Sequence, residues 1–187
     1  MRLIGLVTVL LALSSTVAPA QDIAAPKFGE VGYGGTGCSE GTALVVASPD
    51  GQAATLVLTE YSVGDNGRSL DRKTCAIAVP IDVPEGVSVA IAALAVRGHS
   101  DLPEGLGGTL SVEAFFAGES GPVDETALED DRDFVALTAP ADDALLWSGC
   151  GADVNLRVNT SLRAKGNVGG KVQVRAINLF RLATKAC

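Results

Sequence analysis

Between Asp153 and Ala164 the chain alternates. Val154, Leu156, Val158, Thr160 and Leu162 fall on one side of a period of two, and Asn155, Arg157, Asn159, Ser161 and Arg163 on the other. That period gives a strand one buried and one wet face. Val172 and Val174 alternate with Gln173 and Arg175 in the same way, but the phase then slips to Ile177 and Leu179, which implies a bulge. Further apolar, β-branched runs at Thr42–Ala47, Ala54–Ser62, Thr74–Val83, Val87–Arg97, Thr109–Phe116, Asp133–Thr138 and Ala144–Trp147 read as strands. Asp50-Gly51, Asp65-Asn66-Gly67, Pro84-Glu85-Gly86 and Gly166 to Gly170 supply the turns. Pro80, inside an apolar run, implies an edge position or a bulge. Alanines in Val87–Val96 favour a short helix, which its Val and Ile residues oppose.

Some nine strands with no linker between them predict an all-β fold. It is a single antiparallel β-sandwich, or a partly open barrel, over residues 37–187, entered by a lead-in over residues 21–36.

Residues 1–20 read as a cleaved signal peptide. Arg2 is a positive n-region, Leu3–Leu13 an apolar h-region, and Ala18-Pro19-Ala20 a small-x-small cleavage site before Gln21. The apolar run is well short of the about 20 residues that cross a bilayer, so no membrane span is expected after cleavage. The expected location is extracellular, or periplasmic in a Gram-negative source. Export bears on Cys38, Cys75, Cys150 and Cys187, an even set with no CxxC spacing. In an oxidising compartment they form two disulfides. Of three connectivities, Cys38–Cys75 with Cys150–Cys187 is favoured, each spanning 37 residues.

The blocks GYGGTGC (Gly32–Cys38), VPEGVSVAIAALAVRGHSDL (Val83–Leu102), LLWSGCG (Leu145–Gly151) and NTSLRA (Asn159–Ala164) occur in that order before a terminal Cys. In this the chain resembles the secreted domain-of-unknown-function 4360 family of bacteria and fungi. The resemblance covers about Gly29 to Cys187 and implies a small exported protein with two disulfides. It brings no activity and no catalytic residue. The chain has Gly149 where the family usually has Pro, and lacks the Trp the family often carries shortly before its last Cys.

With 47% hydrophobic residues the chain is too apolar for disorder, and a net charge of −8 opposes nucleic-acid partners. Candidate chemistry is thin. Gly32-Tyr33-Gly34-Gly35-Thr36-Gly37 matches GxGxxG formally, but without a strand before it and a helix after it the run reads as a turn into Cys38. His99 is the one histidine, and a Ser/His/Asp triad would require it; Ser100 and Asp101 would point to opposite faces of a strand. Glu119, Asp124, Glu125, Glu129, Asp130, Asp131 and Asp133 crowd into fifteen residues. They read as a solvated loop, with Glu129, Asp130, Asp131 and Asp133 as candidate Ca²⁺ ligands. Trp147 is expected in the core against a disulfide. Asn159-Thr160-Ser161 is a glycosylation sequon, meaningful only in a eukaryotic source.

No catalytic residue, cofactor or metal is assigned. The expected function is a non-enzymatic extracellular or cell-surface interaction or structural module, its partner an extracellular protein or cell-envelope component. The alternatives are a secreted hydrolase using a carboxylate pair and an inhibitor of a secreted enzyme.

Overall fold

The computed structural model describes residues 25–187 apart from 105, 130 and 166–168. The signal segment, the cleavage site before Gln21, Asp130 and the start of the Gly166 turn lie outside the described residues. The fold is a sandwich of two antiparallel six-stranded sheets. Its strands are β1 (Lys27–Phe28), β2 (Gly32–Gly34), β3 (Ala43–Ala47), β4 (Ala54–Leu58), β5 (Ser62–Val63), β6 (Leu70–Asp82), β7 (Val87–Asp101), β8 (Gly107–Phe116), β9 (Val123–Leu128), β10 (Arg132–Thr138), β11 (Val154–Lys165) and β12 (Lys171–Ala186). Sheet I runs β1-β6-β11-β8-β9, with β2 also on β6; sheet II runs β10-β7-β12-β4-β3, with β5 also on β12. No ladder joins the two sheets among the described residues, so the fold is a sandwich and not a barrel.

The alternation read in β11 is real. Leu156, Val158, Thr160, Leu162 and Ala164 are buried beside Ile77, Val79 and Ile81 of β6 and Leu110 and Val112 of β8 in the same sheet, in one core with Val172, Val174, Ile177 and Leu179 of β12 from the other. Each such Val, Leu or Ile contributes about 1.5–3 kcal/mol by leaving water. The expected bulge in β12 falls at Arg175, where the register against β7 shifts between Val174 and Ala176. The run from Val87 is a strand throughout, as its β-branched residues favour, and its pairing with both β10 and β12 removes the helical alternative.

Three readings are corrected. Ala144–Trp147 is not a strand: Asp142–Ala144 forms a 3-10 turn and Trp147 makes a single bridge to Ala90. The acidic stretch is a loop only in part: Asp124 and Glu125 lie on β9 and Asp133 on β10, the edge strands of the two sheets, while Glu119, Glu129 and Asp131 lie outside strands. Both faces of an edge strand reach water, so charge there does not exclude a strand. Pro80 occupies neither an edge nor a bulge. It lies opposite Asn155 of β11, and its carbonyl accepts from Gly29 N–H on the side shared by β1 and β2. Its missing N–H therefore falls in the gap between those two short strands.

Disulfides join Cys38 to Cys75 and Cys150 to Cys187. The first is buried in the core and ties the glycine-rich turn to β6; the second is exposed and ties the loop after Trp147 to the chain's end.

Candidate functional site

Strand parity assigns the side chains of β7. His99 and Asp101 face outward from sheet II and Ser100 faces inward, 1% exposed. His99 meets two carboxylates: Nδ1 lies 3.0 Å from Asp133 Oδ1 on β10 and Nε2 3.1 Å from Asp131 Oδ1. Arg175 reaches the same Asp133 oxygen at 3.4 Å from the β12 bulge. A neutral imidazole donates from one nitrogen only, so both contacts are hydrogen bonds when the ring carries two protons. The cluster staples three strands across the outer face. A triad is not assembled there, since Nε2, which would serve a nucleophile, faces a carboxylate, and Ser100 is on the other side of the sheet. Of the four candidate Ca²⁺ ligands, Asp130 lies outside the described residues. Asp131 and Asp133 address opposite nitrogens of one ring, and Glu129 lies beyond the end of β9. Among the described residues no group of three or more His, Cys, Asp or Glu side chains is placed to hold a metal ion.

Inward of this cluster, where the chain crosses from β9 to β10, Ser100, Thr126, Leu128, Glu129, Arg132 and Phe134 line a cavity of about 260 Å³. Ser100 Oγ has no hydrogen-bond partner there. Phe134 is paired with Gly98 in the ladder, and a Cβ on Gly98 would collide with the Phe134 ring. The formal GxGxxG run acts sterically too. Gly35 has φ +143° over the Thr74 carbonyl, and a Cβ on Gly37 would enter the ring of Tyr61. The run brings Cys38 to Cys75 and holds no phosphate cradle, since no helix follows it.

Trp147 is not a core residue. It is only partly buried, at the margin of sheet II, with Lys185 Nζ 4.1 Å from its ring centroid. The bridge to Ala90 and the bond from Ser148 N–H to the Val89 carbonyl hold it beside β7. Asn159 of the sequon stands in mid-strand on the outer face of sheet I, its Nδ2 donating to Glu113 at 3.3 Å. Arg72 Nε donates to Ser161 at 3.0 Å, and Ser111 donates to Glu125 at 3.2 Å. The outer face of sheet I is thus mostly polar and paired with itself, with Leu70 and Val123 exposed toward its ends.

The outer face of sheet II is different. Two rows run straight across five strands: Val135, Arg97, Ala176, Val57, Leu44, and Leu137, Ala95, Asn178, Thr55, Val46. Leu44, Val46, Val57, Val135 and Leu137 are 39–63% exposed. They border the face on both sides, with small or polar residues between. Sequence reasoning did not single these five out. A signal was available: ALVVA in β3 and ATLVL in β4 keep apolar residues in the positions where a half-buried strand turns polar.

Comparison with known proteins adds the following. The family model described as "Domain of unknown function (DUF4360)" matches residues 25–185. A curated relative from Arthroderma benhamiae, described as an "Uncharacterized secreted protein", is 29% identical over 146 residues, covering 71% of this chain and 57% of the relative. The chain therefore spans little more than half of that relative's length. The solved structure of TmCBM61 in complex with beta-1,4-galactotriose aligns over 86% of this chain and 91% of that one, at 10% identity and a TM-score of 0.30. That score is too low to carry a ligand or a common ancestry across. The family match spans all but the first 24 residues and the last two, and the blocks in β2, β7, β11 and around Trp147 fall inside it, so this chain belongs to the DUF4360 family.

Proposed function

We propose that the protein is an exported, disulfide-stabilised β-sandwich that works by contact, as a non-enzymatic interaction or structural module outside the cell or at its surface. The outer face of sheet II carries this reading. Five large apolar side chains stand on it in water, against two, Leu70 and Val123, on the otherwise polar outer face of sheet I. Leu44, Val46 and Val57 gather at one margin of the face and Val135 and Leu137 at the other, and apolar groups of this kind mark contact surfaces. The description of the Arthroderma relative as secreted, together with two disulfides, supports an extracellular setting. A partner in the medium or the cell envelope is the matching expectation. A hydrolase built on a carboxylate pair gains no support from Asp131 and Asp133, because His99 and Arg175 already engage them.

The test is capture. The secreted protein is immobilised and exposed to culture supernatant and cell-wall fractions of its source, beside a Val135→Lys/Leu137→Lys variant. Both positions are more than half exposed, so the variant should melt with the wild type. A specific ligand retained by the wild type and lost by the variant is expected. Equal retention by both, or release of soluble products from the wall polymer, would overturn the reading.

A further inference from the structure

The four sheet edges are not alike. Exposed strand edges invite pairing with another chain, and natural proteins blunt them with short strands, charges or Pro. β1 and β2, on one margin of sheet I, are two and three residues long. β9, on its other margin, carries Asp124 and Glu125, and β10 of sheet II carries Arg132 and Asp133. β3 has none of these devices. From Thr42 to Ser48 the chain is TALVVAS, with no charge and no Pro.

The ladder shows which backbone groups of β3 remain open. Thr59 N–H donates to the Thr42 carbonyl and Ser48 N–H to the Ala53 carbonyl, so the even-numbered residues of β3 face β4. Antiparallel geometry then turns the N–H and C=O of Ala43, Val45 and Ala47 to the free side. The Tyr33 hydroxyl donates to the Ala43 carbonyl at 3.0 Å and occupies it. At the other end, Pro49 has no N–H to offer. What remains is the Ala43 N–H and a short window, Val45 and Ala47, with one donor and one acceptor on each.

We infer that β3 is a docking edge for a second copy of this chain, the two strands pairing antiparallel about a two-fold axis at Val46. The inference rests on the contact-module reading and names a partner for one margin of its face. The window is self-complementary. With Val46 on the axis, Val45 of one copy exchanges both hydrogen bonds with Ala47 of the other, and the reverse. The same register sets Ala43, whose carbonyl is already bonded, opposite Pro49, which lacks the donor that carbonyl would need. The exposed Val46 side chains then meet across the axis and Leu44 meets Ser48. The approaching segment carries no charge, so it adds no local repulsion to that of the two acidic molecules. The paired edge is far smaller than the roughly 1,000 Å² of a stable interface, so the dimer is concentration-dependent and not obligate.

Sedimentation equilibrium of the secreted protein from about 1 μM to 1 mM reads this directly. The wild type is expected to rise toward twice the monomer mass. Val46→Lys sets two ammonium groups against each other at the axis and should hold the protein monomeric throughout. Val135→Lys, on the opposite margin of the same face, should dimerise like the wild type. Val46→Cys should form an interchain disulfide under mild oxidation, since facing residues of a non-hydrogen-bonded antiparallel pair stand about 4.5 Å apart at Cα, within disulfide range. A wild type that stays monomeric at 1 mM, or a dimer that Val46→Lys leaves intact, would overturn the inference. Neither result touches the capture test, whose variant lies at the other edge.

Discussion

The hydroxyl of Tyr61 lies 3.0 Å from Thr160 Oγ1, and Thr160 Oγ1 donates onward to the Cys75 carbonyl at 3.1 Å. This chain joins the segment before β5 to β11 and β6, across the core and beside the Cys38–Cys75 disulfide. Tyr61 is 0% exposed, and burial pushes its phenol up to about 12.

That shift makes the protein sensitive to alkali in a defined window. The unfolded phenol ionises near 10 and the folded one near 12. The folded state therefore keeps the proton longer, and stability present below pH 10 is lost between about pH 10 and 12. One pH unit into that window the loss is about 1.4 kcal/mol. Tyr61→Phe lacks this ionisation but gives up one hydrogen bond, which costs about 1 kcal/mol at neutral pH. Urea unfolding at pH 8 should find the wild type more stable by about that much, and at pH 11 the two should be nearly equal. A difference that stays constant between the two pH values would show that the phenol titrates alike in both states.

The two disulfides differ in exposure and should differ in chemistry. Exchange requires a thiolate to reach a sulfur. Cys38 and Cys75 are 0% and 1% exposed, whereas Cys150 and Cys187 are open to solvent. Mild reductant on the folded protein should open Cys150–Cys187 first, and Cys38–Cys75 only with unfolding. Both span 37 residues, so each contributes about 4 kcal/mol in the loop-entropy model. Alkylation at timed intervals followed by peptide mapping checks the order. Equal rates would mean that the core opens readily, and a Cys38–Cys150 or Cys75–Cys187 peptide would refute the pairing itself.

What was legible in the sequence follows how local its cause is. The period of two in β11 and the phase slip at Arg175 are written in consecutive residues, and both are in the fold. Two- and three-residue strands such as β1, β2 and β5 are too short to show a period. β9 was hidden because edge position, which tolerates charge on both faces, is a property of the assembled sheet. Trp147 was misplaced for a similar reason: a disulfide neighbour in sequence says nothing of depth, and Cys150 is at the surface. The His99 cluster joins residues 34 positions apart through the β7–β10 register, which no linear pattern announces.

That cluster decides the behaviour of the acidic stretch toward calcium. Ca²⁺ requires six to eight oxygens converging at about 2.3–2.6 Å. Here Glu125 accepts from Ser111 on sheet I, while Asp131 and Asp133 hold the two nitrogens of His99 and Asp133 also meets Arg175. The carboxylates are distributed between two sheets and two partners, His99 and Arg175. A specific site at a hundredfold excess of Ca²⁺ over its dissociation constant would add about 2.7 kcal/mol, a melting shift of several degrees for a domain of this size. Millimolar CaCl₂ is instead expected to move the melting temperature no further than NaCl of equal ionic strength. His99→Gln should cost less than about 1 kcal/mol, because both acids are more than three-quarters exposed and water screens the pairs. A calcium-specific rise in melting temperature that disappears in Asp131→Asn/Asp133→Asn would show the two acids leaving His99 to share a cation, and would make this crossing a calcium site.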